Sequence, residues 1–217
     1  MTLKLYGVAS SRASRPMWLL EELGQPYERV SQDYRHSGTR TPAYLAINPN
    51  GHIPTLVDDG IVVWESMAIT LYLARKFIGP LSPATLAEEA ETLRWTFWSV
   101  TECEKDALHV LFQRAMFPVE RRDEDSAARA EKRLRVPFRV LEAHLHGREF
   151  LAADRFTVAD VNVASVLAWA RPSRALAGEF PQIFGWLGRC LARPAQRRIR
   201  DLVRTEEALD GSRPGAG

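Results

Sequence analysis

Three short stretches within residues 10–66 carry side chains suited to gripping a charged small molecule. The first is Ser10-Ser-Arg-Ala-Ser-Arg-Pro16. Proline lacks an N–H and sits well in a first helical turn, so the hydroxyls of Ser10, Ser11 and Ser14 fall at or just before a helix N-terminus. Unpaired N–H groups and the positive end of the helix dipole converge there and favour an anion. A serine at this place, Ser14 above all, also serves as a plain N-cap. The second stretch is Asn48-Pro-Asn-Gly-His-Ile-Pro54. Proline is tolerated at the first position of a strand, where its missing N–H need not pair. A cis Ile53–Pro54 bond would turn the Ile53 N–H and C=O towards a ligand, although only about 5–6% of X–Pro bonds are cis. His52 also fits an ordinary exposed loop position. The third stretch, Trp64-Glu-Ser66, opens a helix. Ser66 and its N–H welcome a carboxylate, while Glu65 suits an ammonium. A ligand with both charges on one carbon, the α-amino acid end of a molecule, fits that pair.

The elements around these stretches fall into two textures. Leu3, Leu5 and Gly7 alternate with Lys4 and Tyr6 as a short strand, and Pro16 to Leu23 gives an apolar helical face stopped by Gly24. Tyr27 to Val30 suits a second strand. Pro54 to Asp58 and Ile61 to Trp64 flank Asp58-Asp-Gly60, a hairpin signal. Glu65 to Ile78 predicts a helix stopped by Gly79-Pro80. The order over residues 1–80 is β-α-β, an irregular stretch, then β-β-α. Beyond residue 80 no strand pattern remains, and an all-helical region is expected over residues 86–205. It comprises a long helix over Leu86–Met116, a second over Asp125–His146 kinked at Pro137, and a third opened by Thr157 and Asp160 as a capping box with Phe156 and Val161 as its staple. A further helix starts at Pro181, and Pro194 ends or kinks it. Residues 206–217 are expected to form a disordered tail. The fold class is α+β.

Composition removes other chemistries. Residues 1–80 hold 8 basic and 7 acidic side chains and the rest 21 and 20, so the net charge of +2 is no polyanion-binding surface. The arginines from Arg189 to Arg204 read as a solvated helix face. Cys103 and Cys190 are too few and too distant for a disulfide framework, and no metal or nucleotide motif is present. His144 and His146 diverge on a helix, so no metal is expected. The start carries no signal-peptide pattern and no apolar run approaches the ~18 residues of a bilayer span, so a cytoplasmic protein without nucleic-acid or membrane partners is expected. No GxSxG elbow supports a Ser-His-Asp triad.

Together the motifs resemble those of the cytosolic glutathione S-transferase family, of a serine-type, bacterial-like kind, across residues 2–203. They are Leu5-Tyr-Gly with Ser11 four residues before Arg15, then Trp18-Leu-Leu-Glu-Glu-Leu-Gly24. Asn48-Pro-x-Gly-x-Ile-Pro-x-Leu56, Glu65-Ser-x-Ala-Ile69, Thr157-x-x-Asp160 and Arg193-Pro-Ala195 follow. The resemblance implies a thioredoxin-like domain over residues 1–80, a helical domain contributing the electrophile pocket, and a homodimer. It implies glutathione as co-substrate, with Ser11 donating to its sulfur; Ser10 and Ser14 are the alternates. Ile53, before the cis proline Pro54, would pair with the cysteinyl part of glutathione, Glu65 and Ser66 with the γ-glutamyl end, and His52 and Arg40 with the glycine end. The cysteine-free first 80 residues argue against the cysteine-type reductases of the superfamily. Two classes of function stay open. One is an enzyme that conjugates glutathione to small hydrophobic electrophiles, with dehalogenation, isomerisation or peroxide reduction as variants. The other is a non-catalytic relative used as a binding or regulatory module.

Overall fold

Leu3 and Leu5 are 5% and 0% exposed while Lys4 and Tyr6 between them are half-buried, so strand β1 (Leu3–Tyr6) has one face on the core. The computed structural model describes residues 3–32, 34 and 37–211. Helix α1 (Ser14–Leu23) buries Met17 to Leu20 and ends at Gly24, whose φ of 63° only glycine adopts without cost. Strand β2 (Glu28–Val30) and the short helix α2 (Pro42–Leu45) precede strands β3 (Thr55–Asp58) and β4 (Ile61–Trp64), which Asp59 and Gly60 join at φ 45° and 89°. Two positive φ angles in a two-residue loop match the twist of a tight hairpin. Helix α3 (Ser66–Lys76) buries Met67, Ile69, Thr70, Leu73 and Ala74. The sheet order is β2-β1-β3-β4, with β1 parallel to β2 and the other pairs antiparallel. This is the expected β-α-β, β-β-α arrangement.

Asp58 ends β3 at 1% exposure and accepts from Tyr72 at 2.5 Å and from the Lys76 ammonium, both on α3. Burial alone would raise its carboxyl; the bonds from Lys76 and Tyr72, with the Lys76 charge, outweigh that and hold it below the ordinary carboxylate value. The Tyr72 phenol is pushed up to about 12, chiefly by its bond to Asp58. A depressed folded pKa gives stability that is full above the unfolded value of about 3.9 and is lost as pH falls through the folded one. Asp58→Asn is therefore expected to cost about 2 kcal/mol in urea unfolding at neutral pH. The gap to the unaltered protein closes as the pH drops below about 4.

The chain divides into two compact units, Met1–Gly79 with Arg193–Gly217, and Pro80–Ala192. The second unit is helical, with no strand among its residues. The long helix expected over residues 86–116 is α4 (Leu86–Trp98) and α5 (Glu104–Leu111), with π-helical turns at Ser99–Cys103 and Phe112–Met116. Helix α6 (Glu124–Leu145) continues through Pro137, which lies on its buried face with Leu134, Phe138 and Leu141. Helix α7 (Val158–Leu167) starts at the Thr157–Asp160 capping box and is buried along all but one residue. Helices α8 (Arg174–Glu179) and α9 (Pro181–Leu191) complete the unit.

Helix α10 (Pro194–Gly211) belongs to the first unit and not to the helical region expected over residues 86–205. The physical reason is a set of ion pairs to α1 and the sheet. Arg193 meets Glu22 through two nitrogens at 2.7 and 2.8 Å, Arg198 meets Glu21 at 2.7 Å, and Arg29 of β2 meets Glu206 at 2.8 Å. Residues 206–211 of the expected tail are therefore helical, while 212–217 lie outside the described residues. No described helix is long and apolar enough to cross a membrane.

Candidate functional site

The pairing register brings the three polar stretches to one end of the sheet. Tyr6 of β1 lies beside Thr55 of β3, and Thr55 beside Trp64 of β4. The Ser10–Ser11 loop leaves β1 just after Tyr6, Ile53-Pro54 enters β3 just before Thr55, and Glu65-Ser66 follows Trp64. Their convergence is thus a property of the strand ends. Gly7, at φ 144°, lets the first two loops touch: a Cβ there would lie 2.6 Å from the Ala13 Cβ and 3.6 Å from that of Ile53.

The serines divide by partner. Ser11 Oγ donates to the Val8 carbonyl at 2.7 Å and accepts from the Ala13 N–H at 3.1 Å, so two bonds fix its oxygen. Ser10 is half-buried and its hydroxyl has no partner among the described residues. Ser14 does not cap the helix as expected. The N-cap is Ala13, with no side-chain capping bond, and the Ser14 hydroxyl donates to the Ser11 carbonyl at 2.8 Å. Ser11 has taken the acceptor role at this N-terminus, because the turn from Val8 aims its oxygen at the Ala13 N–H.

The Ile53–Pro54 bond is cis. No hydrogen bond occupies the Ile53 N–H or C=O among the described residues, since β3 pairs only from Thr55. Asn48 builds the loop before it. Its side chain, 1% exposed, donates to the His52 carbonyl at 2.8 Å and to Thr55 Oγ1 at 3.0 Å, and accepts from the Asn50 N–H at 3.0 Å. The last bond is an Asx turn. Tyr44 adds a hydroxyl bond to the His52 carbonyl at 2.7 Å. Burial first raises the Tyr44 phenol above its ordinary value, and the bonds to Thr55 and Asn48 pull against that. His52 and Arg40 are both exposed, and Arg40 Nη1 donates to the Asn50 carbonyl at 3.2 Å.

Glu65 is exposed and sits at φ 71°, ψ 118°, outside the regions a glutamate adopts freely. Such backbone costs on the order of 1–3 kcal/mol and persists where the surroundings impose it, often at ligand sites. Here it turns the chain from β4 into α3 within one residue. Ser66, the first residue of α3, is 4% exposed, and its Oγ accepts from Arg15 Nη1 at 3.1 Å. Arg15 is itself 2% exposed, so a guanidinium is buried beside the N-terminus of α3. Both features make that end favourable for a carboxylate. Arg15 and Asn48 carried no role in the sequence reading. An arginine opening an otherwise apolar helix face, and an Asn-Pro-Asn turn, are the signals that mark them.

The protein's own thiols are both in the second unit. Cys103 and Cys190 are buried and unbridged, and burial, with Glu102 and Asp106, pushes the Cys103 thiol up. No cluster of three metal-binding side chains occurs among the described residues.

Residues 1–75 match the family model described as glutathione S-transferase, N-terminal domain, and residues 105–194 match the C-terminal domain model. Glutathione S-transferase 3 of Zea mays is 36% identical over 203 residues, covering 89% of this chain and 90% of its own. A glutathione S-transferase of Escherichia coli is 28% identical over 88% of this chain and 93% of its own. Among solved structures, a glutathione transferase from Populus trichocarpa superposes with a TM-score of 0.82 at 27% identity, over 93% of this chain and 99% of its own. A theta-class enzyme from Xanthomonas axonopodis pv. citri, solved with glutathione bound, gives 0.80 at 31% identity over 91% and 96%. The chain belongs to the glutathione S-transferase family.

Proposed function

We propose that this family member is a glutathione transferase that lays glutathione along the Tyr6–Thr55–Trp64 end of its sheet, with Ser11 stabilising the thiolate for attack on small hydrophobic electrophiles. The row is the observation that carries the reading. Adjacent strands lie ~4.8 Å apart, so the three strand ends span about 10 Å, close to the reach of an extended tripeptide. Glu65 and Ser66, backed by Arg15, suit the α-amino and α-carboxyl groups of the γ-glutamyl end. The open Ile53 N–H and C=O suit the cysteinyl peptide unit, and Arg40 and His52 suit the glycine carboxylate.

The chemistry asks for an anion, not for a base held by the protein. A free thiol near pKa 8.5 is only a few per cent ionised at neutral pH. Lowering it by two units needs about 2.7 kcal/mol of preference for the anion. A hydroxyl bond to a charged acceptor, about 1.5–3 kcal/mol, and a helix N-terminus, about 0.3–1 kcal/mol, are together of that size. The Ser11 hydroxyl turns about its Cβ–Oγ bond, so its proton swings from the Val8 carbonyl to sulfur while the oxygen stays placed. The Ala13 N–H still donates to that oxygen and makes the hydroxyl a better donor. The thiol proton leaves to water. The thiolate sulfur then forms its bond to the electrophilic carbon as the leaving group departs with the electron pair. The exposed Ile61, Val62 and Trp64 on edge strand β4 support a homodimer. Two unbridged cysteines and a reduced co-substrate support a cytosolic setting.

Retention on immobilised glutathione, with conjugation of a generic aryl halide, tests the reading; binding without turnover on any electrophile would instead support a binding module. Glu65→Gln and Ser66→Ala are expected to raise the KM for glutathione by about tenfold each, as for losing one charge-assisted hydrogen bond, with kcat at saturation nearly unchanged. Equal losses in kcat would place these residues at the thiol instead.

A further inference from the structure

The peptide unit between Val8 and Ala9 is held at both ends. Its carbonyl accepts the Ser11 N–H at 3.1 Å and the Ser11 hydroxyl at 2.7 Å. Its N–H, on Ala9, donates to Glu206 Oε2 at 2.7 Å across 197 residues of sequence. Ala9 is 2% exposed, so its N–H has little access to water if that acceptor is lost. The other Glu206 oxygen accepts from Arg29 Nη1 at 2.8 Å, which fixes the carboxylate from the β2 side. A charged acceptor at the N–H end also polarises the peptide and strengthens its carbonyl as an acceptor for the Ser11 N–H. Were this peptide to rotate in search of another partner, its carbonyl would leave the Ser11 N–H and the Ser11 oxygen would shift from its place beside the sulfur.

We propose that Glu206 is a positioning residue for thiol activation: by fixing the Val8–Ala9 peptide, whose carbonyl holds the Ser11 N–H, it sets the place of the Ser11 oxygen from which the hydroxyl turns to sulfur. This rests on Ser11 being the thiolate partner. It makes the C-terminal helix part of the thiol-activating apparatus, at a position that touches neither glutathione nor electrophile. Helix α10 is anchored separately through Arg193–Glu22 and Arg198–Glu21, so removing the Glu206 carboxylate leaves the helix its other attachments.

The test uses the full chain saturated with glutathione, following the ultraviolet absorbance of the bound thiolate against pH together with kcat and KM. Glu206→Ala is expected to raise the pKa of the bound thiol by about 1, and so to lower kcat at pH 7 by about threefold, as the ionised fraction falls from about three-quarters to about one-quarter. The KM for glutathione stays close to that of the unaltered protein. Glu206→Gln keeps an acceptor for the Ala9 N–H and restores most of the loss, whereas Glu206→Asp, one methylene short, does not. A thiol pKa unchanged in both the Ala and Asp variants overturns the proposal, as does a Gln variant no better than Ala. Ser11→Ala run alongside separates the two claims. If it raises the thiol pKa and Glu206→Ala does not, only the role of Glu206 fails. If Ser11→Ala leaves the pKa unmoved, the role of Ser11 fails, and that of Glu206 falls with it.

Discussion

Ser11→Ala is expected to lower conjugation turnover at pH 7 by about 25-fold, with the deficit fading as the pH approaches 9. The size follows from the thiolate fraction. A bound thiol near pKa 6.5 is about three-quarters ionised at pH 7, and one returned to about 8.5 is ionised to about 3%. The sign follows as well. Turnover tracks the ionised fraction, so the unaltered enzyme reaches its plateau near neutral pH and the variant reaches a similar plateau about two pH units higher. The KM for glutathione changes little, because the γ-glutamyl and cysteinyl contacts are untouched. Since Ser11 also bridges Val8 and Ala13, loss of the loop's shape is a second consequence of the alanine change. Ser11→Thr keeps a hydroxyl and separates the two effects. A deficit that is the same at every pH would mean that the loop, not the thiolate, has been damaged. The same profile from Ser10→Ala, with Ser11→Ala unaffected, would move the role to Ser10, whose hydroxyl has no partner among the described residues.

Much of this site was legible because its pieces are local. The Gly/Ser turn after β1, the Asn48–Pro54 loop and the Glu65-Ser66 helix start each announce themselves within a few residues, and short strands tie them to strand ends. The sheet order that sets those ends side by side was not legible, because it depends on which strands pair across long separations. The allegiance of α10 was hidden for the same reason: its pattern is an ordinary charged amphipathic helix, and its partners Glu21, Glu22 and Ala9 lie more than 170 residues away. Ser14 failed as a cap because a serine three residues earlier met the helix N-terminus first. The φ of Glu65 could not be read either, since a glutamate gives no hint of backbone that glycine would normally supply. The π-helical turns at 99–103 and 112–116 leave the apolar periodicity of α4 and α5 nearly intact, and so read as one continuous helix.

The largest expected effect on stability lies at Asp160, where the most local signal in the sequence becomes a buried side chain with four hydrogen bonds in the helical unit. Its Oδ2 accepts from the Thr157 N–H at 2.9 Å and from the Thr157 hydroxyl at 3.2 Å. Its Oδ1 accepts from the Leu151 N–H at 3.1 Å and from the Trp186 indole N–H at 3.0 Å. All of these lie at 0 or 1% exposure, so no water replaces a lost acceptor. One carboxylate therefore starts α7, fastens the preceding loop and ties α9 to both. Asp160→Ala leaves several buried donors without partners at once, and about 4 kcal/mol is expected to be lost. For a chain of this size that is a fall of about 8–16 °C in Tm. Asp160→Asn keeps the Oδ1 acceptor for Leu151 and Trp186 but turns an NH2 towards the Thr157 N–H, so it should lose roughly half as much. Thermal melting of the three proteins, followed by circular dichroism, checks the order. If Asn proves as damaging as Ala, the Thr157 half of the network carries nearly all the stability, and the tie to α9 is incidental. If both variants melt with the unaltered protein, the capping box is dispensable and α7 is held by its buried apolar residues alone.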